Sequence, residues 1–112
     1  MKEALETISE NIRKYRQMDN FNGDELLTIL QQIVGTLHYL EGQRAMYYNK
    51  WTSVAYQTIQ EGEAISKAEK KADLEVPELY MLRHIMKSGY ENVGAIRTTL
   101  TNLRSERQST QG

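Results

Sequence analysis

The sequence has no cysteine and a single proline, and each shortage excludes a kind of structure. Without cysteine, the 112-residue chain can form neither disulfide bonds nor thiolate metal sites. The one proline, Pro77, fits a chain made of long helices, because proline removes a helical hydrogen-bond donor and clashes with the preceding turn. The length is that of one small domain.

An excess of one charge and a long apolar run are missing too. Lysine and arginine number 14 and the acidic residues 15, so the formal net charge of -1 does not by itself attract nucleic acid or acidic lipid. No apolar run approaches the roughly 20 residues that span a bilayer. The N-terminal stretch MKEALETISENIR also lacks the apolar segment of a signal peptide. We therefore expect a cytoplasmic protein with no membrane partner.

Apolar residues that recur three and four positions apart predict three helices. The first covers about residues 2–17. The second covers about residues 23–61, with Asn22 as its N-cap and Gly62 just after its C-terminus. Its core row alternates steps of four and three residues and consists of Leu26, Leu30, Ile33, Leu37, Leu40, Arg44, Tyr47, Trp51, Val54 and Thr58.

A third helix is predicted for about residues 66–106. Ser66 and Glu69 have the spacing of a capping box at its start. The remaining residues, 107–112, are predicted to form a disordered tail.

Pro77 lies within the third predicted helix. The core row of that helix includes Glu75 and keeps its phase across the proline, which favours one helix bent near Pro77. A break between Leu74 and Pro77 is the alternative, because the residue before a proline avoids the helical conformation.

The two long helices flank a turn near residue 63 and are predicted to fold back on each other as an antiparallel hairpin that resembles a coiled coil. Facing residues should then have numbers that sum to about 126. Leu37 should face Gly89, and Tyr47 should face Leu79. The predicted fold is therefore all-α, with a short N-terminal helix and two long antiparallel helices in a single domain.

The turn end of this hairpin carries aromatic residues that a monomer would leave uncovered. The first helix, roughly 24 Å long, can cover the end near Leu26–Leu37 but cannot reach the turn. A single partner helix hides only one stripe of its neighbour. We therefore expect a homo-oligomeric helical bundle, with Tyr47, Trp51 and Tyr56 at its interface.

Catalytic motifs are missing from the sequence. It contains no phosphate-binding glycine loop, no nucleophile elbow and no His-Glu-x-x-His motif. The two histidines, His38 and His84, lie beside the core rows and are interpreted as helix-surface residues, with a metal-linking pair as the alternative. We expect a protein that is not an enzyme and that uses no cofactor and no metal.

Four residues spaced seven apart form a stripe on the third helix: Arg83, Tyr90, Arg97 and Arg104. Arginine alternating with an aromatic residue suits phosphates and stacked bases. The alternative is a coiled-coil flank, where arginine stems cover apolar surface. The hairpin register also predicts an exposed salt bridge between Glu41 and Arg83.

A second candidate site surrounds Arg44, which occupies a position in the core row. Its neighbours along the helix are Tyr48 and Trp51. A guanidinium placed in a core must find a carboxylate or an anionic ligand. Glu41 and Glu78 are the carboxylates within reach, and a phosphate is the alternative ligand.

The order of these features resembles that of small, largely uncharacterised phage and prophage proteins encoded near recombination and single-strand-binding genes. The likeness covers roughly residues 24–106 and rests on a leucine-rich long helix, a turn, the stretch SKAEKKA and the C-terminal stretch AIRTTLTNLRSE. It implies a phage-type genome and a host cytoplasm, and no defined activity. A single-strand nucleic-acid accessory protein is one function compatible with it.

A second likeness is to phage proteins that sequester the cyclic-nucleotide signals of bacterial defence. Those proteins are similar in having a short helix followed by two long antiparallel helices and in forming oligomers. The stretch IRKYRQM ahead of ELLTIL carries the likeness here, and it implies Tyr15 and Arg16 as candidate ligand residues. The expected partners are thus a second copy of the chain and a nucleotide ligand or host protein.

Overall fold

A computed structural model of the chain describes residues 1–111, and the side chains of residues 1–107. The described chain is all-helical, without a strand, and measures 70 × 25 × 20 Å. Its four helices are α1 (Lys2–Arg16), α2 (Gly23–Gln60), α3 (Ile65–Glu75) and α4 (Pro77–Gln111). The predicted all-α class is confirmed, with four helices in place of three.

The start of α2 is fixed by the predicted cap. The side-chain Oδ1 of Asn22 accepts hydrogen bonds from the backbone N–H groups of Asp24, at 2.9 Å, and Glu25, at 3.1 Å. These bonds satisfy two donors that have no partner within the first turn of the helix.

The end of α2 is a glycine turn. Gly62 has φ +95°, a left-handed conformation that a residue with a Cβ rarely adopts. The N–H of Gly62 donates to the carbonyl of Ile59 at 3.0 Å, and the N–H of Glu63 donates to the carbonyl of Thr58 at 3.3 Å. This pair of bonds is a Schellman motif, so the predicted helix end is confirmed.

The predicted bent helix through Pro77 is wrong, because the chain leaves the helical conformation at Val76. That residue has φ -127° and ψ 63°, and Pro77 is the first residue of α4. Proline is well suited to the first position of a helix and restricts the residue before it. The break brings Val76 into the core and leaves Glu75, the predicted core member, exposed.

Both ends of the predicted third helix also differ from the expectation. The helix α3 begins at Ile65 after Ala64, which makes no side-chain cap bond, so the predicted Ser66 cap does not form. At the other end, α4 continues to Gln111, past the end predicted at about residue 106. The predicted tail thus has helical backbone as far as Gln111, and Gly112 lies outside the described residues.

The antiparallel hairpin has the predicted register at its centre. Helices α3 and α4 both pack along α2. A Cβ placed on Gly89 would lie 2.9 Å from Cδ2 of Leu37, so the leucine fills the space that the glycine leaves. This contact confirms the predicted Leu37–Gly89 pair.

The covered half of the molecule, residues 1–43 and 81–111, has three helices around one core. Helix α1 packs on α2 and α4, and the Tyr15 hydroxyl lies 3.0 Å from the hydroxyl of Thr99 in a hydrogen bond. Eleven apolar residues are buried in this core: Ile8, Ile12, Leu26, Ile29, Ile33, Leu37, Leu40, Leu82, Met86, Val93 and Ile96.

The turn half, residues 44–80, has only α2 facing α3 and the start of α4. Helix α1 has 15 residues and rises about 22 Å, so it does not extend along this half. The buried cluster consists of Ala55, Ala68 and Ala72, with Trp51 and Val54 packed at its edge. The two halves therefore differ sharply in how much apolar surface they bury.

Candidate functional site

The side of the hairpin away from α1 carries a row of polar and aromatic contacts between α2 and the helices that face it. At the centre of this contact row, the Tyr90 hydroxyl donates to Oε1 of Glu41 at 2.7 Å. Arg44 donates to the other carboxylate oxygen, Oε2, from Nη2 at 2.9 Å and from Nε at 3.3 Å. Both oxygens of Glu41 are therefore engaged within the chain.

The hydrogen bonds of this cluster shift the pKa values of both titratable groups further from neutral pH. The hydrogen bond from Tyr90, followed by that from Arg44, lowers the pKa of the Glu41 carboxyl. The same bond raises the pKa of the Tyr90 hydroxyl, because an ionised tyrosine could not donate to a carboxylate. At neutral pH, Glu41 is charged and Tyr90 is neutral, and neither is suited to exchange protons there.

The contact row continues towards the turn through two stacked rings. The Tyr48 and Trp51 rings lie 6.2 Å apart between centroids at an interplanar angle of 11°. The guanidinium of Arg83 lies over the Tyr48 ring, with Cζ 5.8 Å from its centroid. The indole Nε1 of Trp51 donates to Oδ1 of Asp73 at 2.8 Å. The row thus joins α2 to both α3 and α4.

The predicted Glu41–Arg83 salt bridge does not form, and the direction of helical side chains explains why. Cβ atoms lean towards the N-terminus of their own helix, so side chains of antiparallel helices lean in opposite directions. Glu41 therefore reaches Tyr90, farther from the turn than the core register would place its partner. One heptad nearer the turn, Tyr48 meets Arg83 in the same offset.

Beyond Tyr90, the contact row opens into a groove of about 230 Å³ between α2 and α4. Its floor is apolar and its rim carries His38, Glu41, Tyr90 and Arg97. The predicted stripe therefore faces α2 at Arg83 and Tyr90 and lines an open groove at Arg97.

The stripe belongs to a longer row on α4. Each member of this row lies one residue after a core position. The row occupies positions 80, 83, 87, 90, 94, 97, 101 and 104, and we call its charged and aromatic members the arginine flank: Tyr80, Arg83, Lys87, Tyr90, Arg97 and Arg104. No acidic residue occupies any of these positions. Among residues with described side chains, Arg83, Arg97 and Arg104 have no carboxylate within ion-pair distance.

Three candidate residues lie apart from the contact row, at the end of the covered half where α1 ends and α2 begins. Arg104 lines a pocket of about 600 Å³ with Phe21 and Arg107 at the start of α2. The Tyr15 ring packs 5.9 Å from that of Phe21 and its hydroxyl is bonded to α4, so it acts as a structural contact. Arg16, at the end of α1, is exposed.

The structure separates the three residues predicted for an oligomer interface. Trp51 is half-buried and held within the chain by Tyr48 and Asp73. Tyr47 is half-buried beneath Lys50, whose Nζ lies 5.0 Å from the ring centroid. Tyr56 is exposed on α2, and its hydroxyl accepts a hydrogen bond from Gln60.

Two further expectations concern Arg44 and the histidines. The Arg44 side chain is 41% exposed, so it leaves the core row and pairs with Glu41, one of the two carboxylates considered. His84 stacks on Tyr80, with centroids 6.4 Å apart, and His38 is exposed at the groove. Among residues with described side chains, no group of three or more metal-ligating residues comes together.

Sequence reasoning missed Tyr90 as the partner of Glu41 and Asp73 as the partner of Trp51. Glu41 and Tyr48 are seven residues apart on α2, as are Arg83 and Tyr90 on α4, so equal heptad positions on the two helices were the available signal. Trp51 and Asp73 have numbers that sum to 124, close to the predicted 126, so the hairpin register was the available signal for this pair.

Comparisons with known proteins add no family to this description. No protein-family model, no curated protein and no solved structure matches the chain. In residues 1–111, no helix combines the length and apolar character needed to cross a membrane.

Proposed function

We propose that the chain is a non-enzymatic helical protein of a phage-type genome that acts in the host cytoplasm by binding and that assembles as a homo-oligomer. One observation carries the oligomer. The large apolar side chains with the greatest exposure, Leu74 at 83%, Tyr80 at 78%, Ile65 at 65% and Tyr56 at 63%, all lie in the turn half. None in the described covered half exceeds the 51% of Tyr90.

This distribution favours assembly because the exposed residues coincide with the half that has too few helices to cover itself. Exposed apolar surface concentrated in one region is typical of protein interfaces. A second copy would supply the missing helices, as α1 does for the other half. Large aromatic and aliphatic side chains would then be buried at the contact, where such residues contribute most of the binding energy.

A binding role is supported by the chemistry of the contact row. Its two shifted groups, Glu41 and Tyr90, are held in the protonation states that hydrogen-bond each other. The exposed guanidinium of Arg97 and the half-exposed ring of Tyr90, next to the groove, offer donors and a flat face to a ligand. These are properties of a recognition surface.

A nucleic-acid accessory role is the second candidate, and the arginine flank favours it. The sequestration of nucleotide signals has less support, because the Tyr15 hydroxyl is used in a bond to Thr99. The likeness to phage helical-hairpin proteins accommodates all of these roles.

Light scattering on the purified chain tests the oligomer. At concentrations on the order of tens of micromolar, we expect a mass of two or more chains. Ile65→Glu and Leu74→Glu, which add charge to exposed positions, should shift the mass towards one chain while circular dichroism stays helical. Leu27→Glu, at an exposed position of the covered half, is the matched control and should leave the mass unchanged. A monomeric unmutated chain would contradict the proposal.

A native mass spectrum complements this test, because it reports the number of chains and any ligand retained from the host in one measurement. A retained phosphate-containing ligand would identify the class of ligand that the chain binds.

A further inference from the structure

We infer that the arginine flank of α4 is a binding site for single-stranded nucleic acid. The inference deepens the proposed binding function and rests on it, since it names the ligand class that such a protein would take. Its basis is the segregation of charge, the unpaired state of the arginines, the rings between them and the length of the row.

Charge is segregated on α4 although the chain is nearly neutral. The eight positions of the row hold four cations, Arg83, Lys87, Arg97 and Arg104, and no acid. The acid that faces them from α2, Glu41, is paired with Arg44 and hydrogen-bonded by Tyr90. The row itself therefore carries only positive charge, which favours a polyanion although the chain as a whole is nearly neutral.

The cations of the row are available to a ligand. Arg13 and Arg44, which lie outside the row, are paired with the acids Glu10 and Glu41. Arg83, Arg97 and Arg104 have no such partner among residues with described side chains. Phosphate groups would complete their hydrogen bonding, and arginine is well suited to phosphate because its donors form a planar fork.

The rings on the row favour unpaired bases over a duplex. Tyr90 is 51% exposed, and Tyr80 is more exposed still. Exposed aromatic rings stack on unpaired bases of any sequence, whereas bases in a duplex have no free face. Gly94, between Tyr90 and Arg97, leaves open space in which a backbone can approach, since a Cβ there would meet nothing within 4 Å.

The length of the row matches a short single strand. Arg83 and Arg104 are 21 residues apart on one helix, a rise of about 31 Å. That length is enough for several nucleotides, within the range of known single-strand sites. The groove next to Tyr90 and Arg97, with its apolar floor, would receive part of one base or sugar.

Fluorescence anisotropy with a labelled oligothymidylate of about 20 nucleotides tests the site. We expect binding at low salt that weakens steeply as salt is added. The double variant Arg97→Gln/Arg104→Gln should weaken binding and lower the salt-dependence slope by about 1.4, which is about 0.7 for each phosphate contact of a single strand. Lys67→Gln/Lys71→Gln removes the same charge from the turn and should leave both unchanged. Tyr90→Leu should weaken binding, whereas Tyr90→Phe, which keeps the ring, should bind like the unmutated chain.

Several results would overturn the inference. They are the absence of binding at low salt, an equal loss from the lysine variant, tighter binding of a duplex of the same length, and equally strong competition by polyglutamate. The last result would identify an acidic protein as the partner. Light scattering on the same samples separates this outcome from the proposed function, because an oligomer that binds no nucleic acid contradicts only the inference. A monomer that binds contradicts only the oligomer.

Discussion

The covered half and the turn half of this molecule share one hairpin but bury very different side chains. The largest fully buried residues, Ile8, Leu26, Ile33, Leu40, Leu82 and Ile96, all lie in the covered half. The buried cluster of the turn half consists of three alanines, with Val76 and Leu79 buried where α4 begins, and polar contacts such as that from Trp51 to Asp73 help to hold its helices together. The difference shows that the side chains with the least exposure lie where a third helix covers the two-helix seam.

Truncation of buried residues should separate the two halves most strongly. Leu40→Ala removes a fully buried side chain and should lower the free energy of unfolding by about 2–5 kcal/mol. Ala72→Gly, in the turn half, should lower it by only about 1 kcal/mol, mainly through helix propensity. Urea unfolding followed by circular dichroism measures both. Equal losses would show that the two seams contribute alike.

Glycine-to-alanine substitutions should have opposite effects inside and outside the seam. At Gly89 the new Cβ would press on buried Leu37, at a cost of about 1–3 kcal/mol that exceeds the gain in helix propensity of about 1 kcal/mol. At Gly42 the Cβ would meet nothing within 4 Å, so only the gain remains. Thermal unfolding should thus show Gly89→Ala destabilised and Gly42→Ala stabilised. Stabilisation at both positions would mean that Leu37 moves aside freely.

The single tryptophan reports on the turn half alone. We expect Trp51 fluorescence to change at lower urea than circular dichroism, because the turn half has the smaller core. Asp73→Ala removes the acceptor of the indole N–H and should widen this gap, at a cost of about 1 kcal/mol or less. If fluorescence and circular dichroism change at the same urea concentration, in the unmutated chain and in Asp73→Ala alike, the two halves unfold as one unit.

The smallest expected effect is the pH dependence of the Glu41 contact. Because folding lowers the pKa of Glu41, the contact stabilises the fold above the ordinary carboxyl pKa of about 4.5 and is lost as the pH falls below it. Melting temperatures at neutral and acidic pH should therefore differ less in Glu41→Gln than in the unmutated chain. Glu10→Gln, at an exposed ion pair, is the control. An unchanged difference in Glu41→Gln would contradict the assignment.

Much of the fold was predictable because its determinants are local. Asn22 and Gly62 define the ends of α2 through their own side chain and backbone, and the heptad rows place Leu37 opposite Gly89. The break at Val76 falls within the alternative, a break between Leu74 and Pro77, which ranked second because the core row keeps its phase across the proline. The local restriction that Pro77 places on its neighbour prevailed over that periodicity.

The candidate site was predictable in composition and only partly in its contacts. Seven-residue spacing identified the stripe on α4, and the need of Arg44 for a carboxylate identified Glu41. The pairing of Glu41 with Tyr90 depends on how side chains lean between antiparallel helices, which residue numbers alone do not express. An opposite charge at the same level, Arg83, was therefore a poor guide to the partner.

The Gly62 turn has a kinetic consequence. Contacts require longer loops with distance from it, from 22 residues between Trp51 and Asp73 to 84 between Tyr15 and Thr99. Since the entropy cost of closing a loop grows with its length, we expect the helices to pair first beside the turn and α1 to dock last. The turn half, which has the smaller core, would thus form first, and the larger core of the covered half would assemble after it. Gly62→Ala, strained at φ +95°, should then slow refolding in stopped-flow measurements more than it speeds unfolding.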